Sequence, residues 1–93
     1  MALSASSPVH RAPGVLWRDG AFGVVILAPG SPEPQTLTGT GRSLWQALAE
    51  PVTPSELARA LAAEYGAQPE RVAADIIPVL EQLCAVGAVE VSR

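Results

Sequence analysis

The chain contains no lysine. Its six basic residues are all arginine and face nine acidic residues, for a net charge of −3 over 93 residues. A phosphate-binding surface needs concentrated positive charge, so general binding to nucleic acid or to an anionic membrane is disfavoured. Cysteine occurs once, as Cys84, which excludes an internal disulfide framework and a cysteine-rich zinc site. The one histidine, His10, sits near the N-terminus, where nothing supports a catalytic or metal role. No apolar run approaches the roughly 18 to 20 residues that span a bilayer. Met1–Ser7 lacks the basic start and apolar block of a signal peptide. The acid–base constellations of enzyme chemistry are missing too. Ser43 lies in T-G-R-S-L-W, which is not a nucleophile elbow, and Gly39-x-Gly41 lacks the lysine of a phosphate loop. These absences predict a soluble, cytoplasmic, non-catalytic single domain with no cofactor and no metal.

What is present is apolar residues, at 48% of the chain, enough to drive folding. Residues 1–13 (MALSASSPVHRAP) are small and polar and read as a flexible N-terminal tail. Val15–Arg18 and Phe22–Ala28 are β-prone, and Asp19-Gly20 between them predicts a tight hairpin turn. Three prolines make residues 29–34 a loop. Gln35-Thr36-Leu37-Thr38 reads as a third strand, and Pro34 at its start suits a sheet edge. Helices follow. Thr40 or Ser43 is a cap candidate for a helix over Arg42–Ala49. Thr53-Pro54-Ser55-Glu56 has the cap, proline and glutamate of a helix start, and Gly66 is the stop of that helix. A last helix runs from about Pro69 or Glu70 to Val86, with Gly87 ending it and Ala88–Val91 adding a short strand or extended tail. The fold class is α+β: a winged helix-turn-helix-like domain, with a three-stranded antiparallel N-terminal sheet followed by three helices.

The last helix has an apolar arc spanning roughly half its circumference, wider than one packed face needs. Val72, Ile76, Val79, Leu83 and Val86 form the core stripe, and Ala73, Ile77, Leu80 and Cys84 flank it. The flank is either further core or the wall of an open groove. Pro78 interrupts the helix and predicts a bend.

These segments together resemble the PqqD-like family. Leu37–Leu48 (LTGTGRSLWQAL) is similar to the family's L-x-x-T-G-x-x-(I/L/V)-W-x-x-L segment. Val52–Ala58 looks like its second helix start, and Tyr65 falls where the family has an aromatic. Asp75–Leu83, followed by Gly87-Ala88-Val89, resembles its D-V-x-x-F-L-x-x-L helix. The likeness covers residues 14–91, read as a PqqD-like peptide-recognition domain. It departs from the pattern at the Pro-rich loop and at Pro78.

The resemblance implies a recognition element of ribosomal peptide natural-product pathways, as in lasso peptide, radical-enzyme and redox-cofactor biosynthesis. Such domains bind the leader segment of a precursor peptide and present its core to a downstream peptide-modifying enzyme or leader peptidase. The leader adds as a strand between the sheet edge and the third helix. The residues agree with this independently, because a short edge strand offers unpaired N–H and C=O groups. The expected site is Gln35, Thr36, Leu37 and Thr38 on the strand, with Ala73, Ile77, Leu80 and Cys84 on the helix wall. Val72 and Ile76 are the competing choice for that wall. An open edge also permits a homodimer by strand pairing.

Two other functions stand beside leader recognition. One is a non-catalytic adaptor subunit that binds a partner enzyme without a leader. The other is a winged-helix DNA binder, opposed by the two glutamates and single arginine of Ser55–Tyr65. Leu44, Trp45 and Trp17 read as core, Cys84 as an inert buried thiol, and Arg71–Asp75 as a solvated helix pair.

Overall fold

Alternation along Gly23–Leu27 explains the centre of the sheet. In the computed structural model, which describes Ser4 and residues 6–92, Val24 and Ile26 are fully buried and Val25 and Leu27 are exposed. This strand, β3 (Gly23–Leu27), pairs antiparallel with β2 (Leu16–Gly20) and β4 (Gln35–Leu37), giving the order β2-β3-β4. The hairpin turn is not at Asp19-Gly20 as the sequence suggested. Both strands continue to a Gly20–Gly23 pair, leaving Ala21-Phe22 as the two-residue loop. Asp19 is held in the strand by α1 (Thr40–Ala47): its Oδ1 accepts from Arg42 Nη2 at 2.7 Å, and its Oδ2 from Gln46 Nε2 at 3.3 Å. Gly23 then supplies a φ of +141°, and the Leu37 carbonyl occupies the place a β-carbon would need.

The expected third strand ends one residue early. The Thr38 carbonyl accepts from Gly41 N–H at 3.0 Å and begins the turn into α1. Gly39, not Thr40 or Ser43, caps α1, with no side-chain cap bond. The next helix, α2 (Pro54–Tyr65), starts as its sequence dictates. Thr53 Oγ1 accepts from Glu56 N–H, Glu56 reaches back to Thr53 N–H, and Pro54 occupies the first turn. The third helix, α3 (Pro69–Ala85), runs through Pro78, which lies on its exposed side. Its end is a Schellman motif: Ala88 N–H bonds Leu83 C=O and Gly87 N–H bonds Cys84 C=O.

The tail expected over residues 1–13 is corrected where the chain is described. Val9–Arg11 form a strand, β1, paired antiparallel with β5 (Val89–Val91) in a second, two-stranded sheet. Val9 also exchanges both backbone bonds with Val52, at 2.8 and 3.0 Å, and is fully buried. Arg11 closes the clip. Its Nε and Nη2 donate to the Trp45 carbonyl at 2.9 and 2.7 Å, in the last turn of α1, with the guanidinium 4.5 Å from the Trp17 ring centre. The part of the expected tail at Met1–Leu3 and Ala5 lies outside the described residues. Among the described residues the architecture is thus mixed α+β, with three helices and two antiparallel sheets around one core. Trp45, Leu44, Leu48, Leu57 and Leu80 are among its fully buried members.

Candidate peptide-binding site

The register decides which backbone groups of β4 are free. A two-residue loop makes Gly20–Gly23 a hydrogen-bonded pair, and such pairs alternate along an antiparallel ladder. The bonding groups of Val24 and Ile26 therefore turn toward β4, where they meet Leu37 and Gln35. Thr36 is left with its N–H and C=O directed out of the sheet. Side chains alternate in the other sense. Gln35 and Leu37 are half-buried on the helix side, and Thr36 is exposed on the outer face. No residue of Gln35–Leu37 carries a charge.

The helix chiefly packed against β4 is α1, not α3. Leu37 abuts Gly41, where an added β-carbon would stand 3.3 Å from Leu37 Cβ. Beyond Gly41 opens a cavity of about 220 Å³ whose floor is Leu44 and Leu61 and whose far wall is Val72, Ile76 and Val79. Thr40, Tyr65 and Asp75 give it a polar rim. Tyr65 is fixed there by a 2.7 Å hydrogen bond between its hydroxyl and Ser43 Oγ, which ties the end of α2 to α1.

The two expected walls of α3 separate. Val72 and Ile76, the competing choice, are the ones that reach the cavity beside β4. Ala73 and Ile77 face a different groove of about 380 Å³, between the N-terminal halves of α2 and α3. Leu80 is fully buried and presents no wall to either, a correction to its expected place. Cys84 is half-buried and lines neither cavity. Burial, with the charge of Glu81 second, pushes its thiol above the ordinary value, which leaves it protonated at neutral pH. Tyr65, Thr40 and Val79 were not among the expected site residues. Each had a sequence signal that was read otherwise: Tyr65 as the family's aromatic, Thr40 as the threonine of its T-G pair and a cap candidate, and Val79 as core stripe. Arg42 is not free to attract a ligand, because Asp19 holds it. Trp17 is 44% exposed and stands edge-on to Trp45 at 6.3 Å, so it is only partly core.

Among the described residues no helix is long and apolar enough to cross a membrane. No curated protein sequence matches the chain. One similar solved structure is the solution NMR structure of the PqqD truncation of Methylobacterium extorquens PqqCD. That protein is described as a functional, stand-alone recognition element for ribosomally synthesised and post-translationally modified peptides. It shares 27% identity, with a TM-score of 0.79, covering 96% of this chain and 95% of that one. The sequence profile of the family described as coenzyme PQQ synthesis protein D (PqqD) matches residues 23–89. With most of its length matched and its fold shared end to end, the chain belongs to the PqqD family.

Proposed function

We propose that the protein binds the leader segment of a ribosomally made precursor peptide by strand addition to β4, and so brings the core peptide to a modifying enzyme. The observation that carries this reading is an uncharged sheet edge, with the Thr36 N–H and C=O turned outward, beside an apolar cavity. Main-chain bonds at such an edge supply affinity, and side-chain cavities supply selectivity. A tethered core needs little affinity of its own for the enzyme, because tethering raises its effective concentration. The similar NMR structure, described as a peptide-recognition element, supports the same class of ligand. On this reading β4, α2 and α3 form the binding side of a winged-helix-like domain, and the chain contributes no catalytic group. It acts in the cytoplasm, where precursors are made.

The test is a fluorescence-polarisation titration of the labelled leader peptide encoded beside the gene. A Kd of about 10 μM or tighter is expected, roughly −7 kcal/mol. Thr36→Pro removes only an outward N–H and is tolerated at an edge, so the variant should fold normally and bind at least ten-fold more weakly. Unchanged binding by folded Thr36→Pro would refute strand addition at this edge. Leu37→Pro is the worse probe, because the Leu37 N–H belongs to the ladder with Val24.

A further inference from the structure

The cavity beside β4 holds about 220 Å³, below the roughly 300–1,000 Å³ of sites for separate small molecules. It is sized for one side chain of a bound strand. Its floor and far wall are apolar, and the charged residue in its lining is Asp75, exposed at the rim. Val72 and Val79 stand one turn to either side of Asp75 on the same face of α3, and both line the cavity. A second carboxylate lies close by. Glu64 Oε1 accepts from Ser43 Oγ at 3.4 Å, and the same hydroxyl holds the Tyr65 phenol at the rim.

Neither Asp75 nor Glu64 joins an ion pair among the described residues. The basic groups that could answer them are placed elsewhere. Arg42 is held by Asp19, Arg11 by the Trp45 carbonyl, and His10 stands against Glu90. Arg18 is on β2, two strands from the free edge, and Arg59 lines the groove on the other side of α3. Arg71, one turn before Asp75, stays beyond ion-pair distance of it and outside the cavity lining. Unanswered carboxylates at the mouth of an apolar cavity attract a base and repel an acid. We infer that this cavity selects leaders that carry a lysine or arginine two residues from a large apolar anchor. The inference rests on the leader reading. Side chains two apart in an added strand share one face. The anchor then fills the cavity, while the stem of the basic side chain lies along Val72 or Val79 with its charge at Asp75. An acidic residue in that place meets like charge and is rejected.

The probe is the labelled leader peptide encoded beside this gene, read by fluorescence polarisation at about 50 and about 500 mM salt. Asp75→Asn, an exposed change, should weaken binding about two- to five-fold at the lower salt, and the gap should close at the higher. Asp75→Arg should weaken it about ten-fold or more. A leader with its basic residue changed to glutamate should bind wild type poorly and recover affinity for Asp75→Arg. Glu70→Gln is the control. It removes the same charge from α3 on the side of the other groove, and its Kd should stay within about two-fold of wild type. A circular-dichroism melt checks that each variant folds. Equal affinities of wild type, Asp75→Asn and folded Asp75→Arg overturn the inference and leave the leader reading standing. So does a leader that binds wild type tightly with no basic residue two positions from a large apolar one. Equal weakening by Glu70→Gln also overturns it, since the charge of the whole chain would then set the preference. A wild-type protein that binds no leader fails the leader reading itself, and the inference with it.

Discussion

Replacing Gly30 by alanine tests how β4 is held in place. Gly30 N–H donates to the Val86 carbonyl at 2.7 Å, tying the Pro-rich loop before β4 to the C-terminus of α3. A β-carbon on Gly30 would lie 2.6 Å from that oxygen and 2.9 Å from its carbon, both backbone atoms that cannot rotate away. Forcing a methyl group into packed surroundings costs about 1–3 kcal/mol. Losing the hydrogen bond costs about 0.5–1.5 kcal/mol more. Alanine recovers about 0.4–1 kcal/mol by restricting the unfolded chain. The net loss is about 2 kcal/mol, which for a domain of this size lowers Tm by about 8–16 °C. Gly14→Ala is the control, because its β-carbon would meet Pro29 Cγ at an ordinary 3.4 Å. A thermal melt followed by circular dichroism should show Gly30→Ala well below wild type and Gly14→Ala at or slightly above it. Equal melting of Gly30→Ala and wild type, within about 2 °C, would refute the proposed tie. The loop would then be free of α3, and the placement of β4 would need another cause.

Thr53→Ala removes the capping hydroxyl of α2 and should cost about 1 kcal/mol in a urea melt, with leader affinity unchanged because Thr53 lines no part of the cavity beside β4. The Thr53 backbone N–H, then its side chain, hold the Glu56 carboxyl below its ordinary value. A depressed folded pKa gives stability that is present above the unfolded value and fades as pH falls through the folded one. The Tm gap between wild type and Glu56→Gln should therefore close on titration from pH 6 to pH 3, and a constant gap would contradict the assignment. Arg11→Ala should cost about 2 kcal/mol, since two charge-assisted bonds to the Trp45 carbonyl and the stacking on Trp17 go together. Arg11→Lys should recover less than half, because an ammonium lacks the planar fork. Deleting residues 1–12 should lower stability by more than Arg11→Ala alone, since burial of Val9 is also lost.

Much of the fold was legible because its signals are local. The capping box at Thr53–Glu56, the prolines of the loop, the β-prone run at Phe22–Ala28 and the apolar arc of α3 are properties of neighbouring residues. They held to within a residue or two. The hairpin turn moved because Asp19 answers to Arg42 and Gln46 on α1, partners far away in sequence. Strand β1 was missed for the same reason. VHR has no period to read, and it becomes a strand only when Val89–Val91 and Val52 supply its partners.

The candidate site divides along the same line. The sequence determined that a short neutral strand follows Pro34, read as residues 35–38 and found one residue shorter, and that α3 is apolar over more of its surface than one packed face uses. Only the tertiary structure decided which groups are free. The outward turn of Thr36 depends on the ladder between β2 and β3, and a shift of one residue would exchange it with Leu37. The division of α3 into Val72–Ile76, facing α1 across the cavity, and Ala73–Ile77, facing the start of α2, depends on where α2 packs against it. A helix wheel records which residues are apolar, but a groove is made by the neighbours that cover some of them and leave others open. Those neighbours are placed by contacts between residues tens of positions apart, which no local pattern encodes.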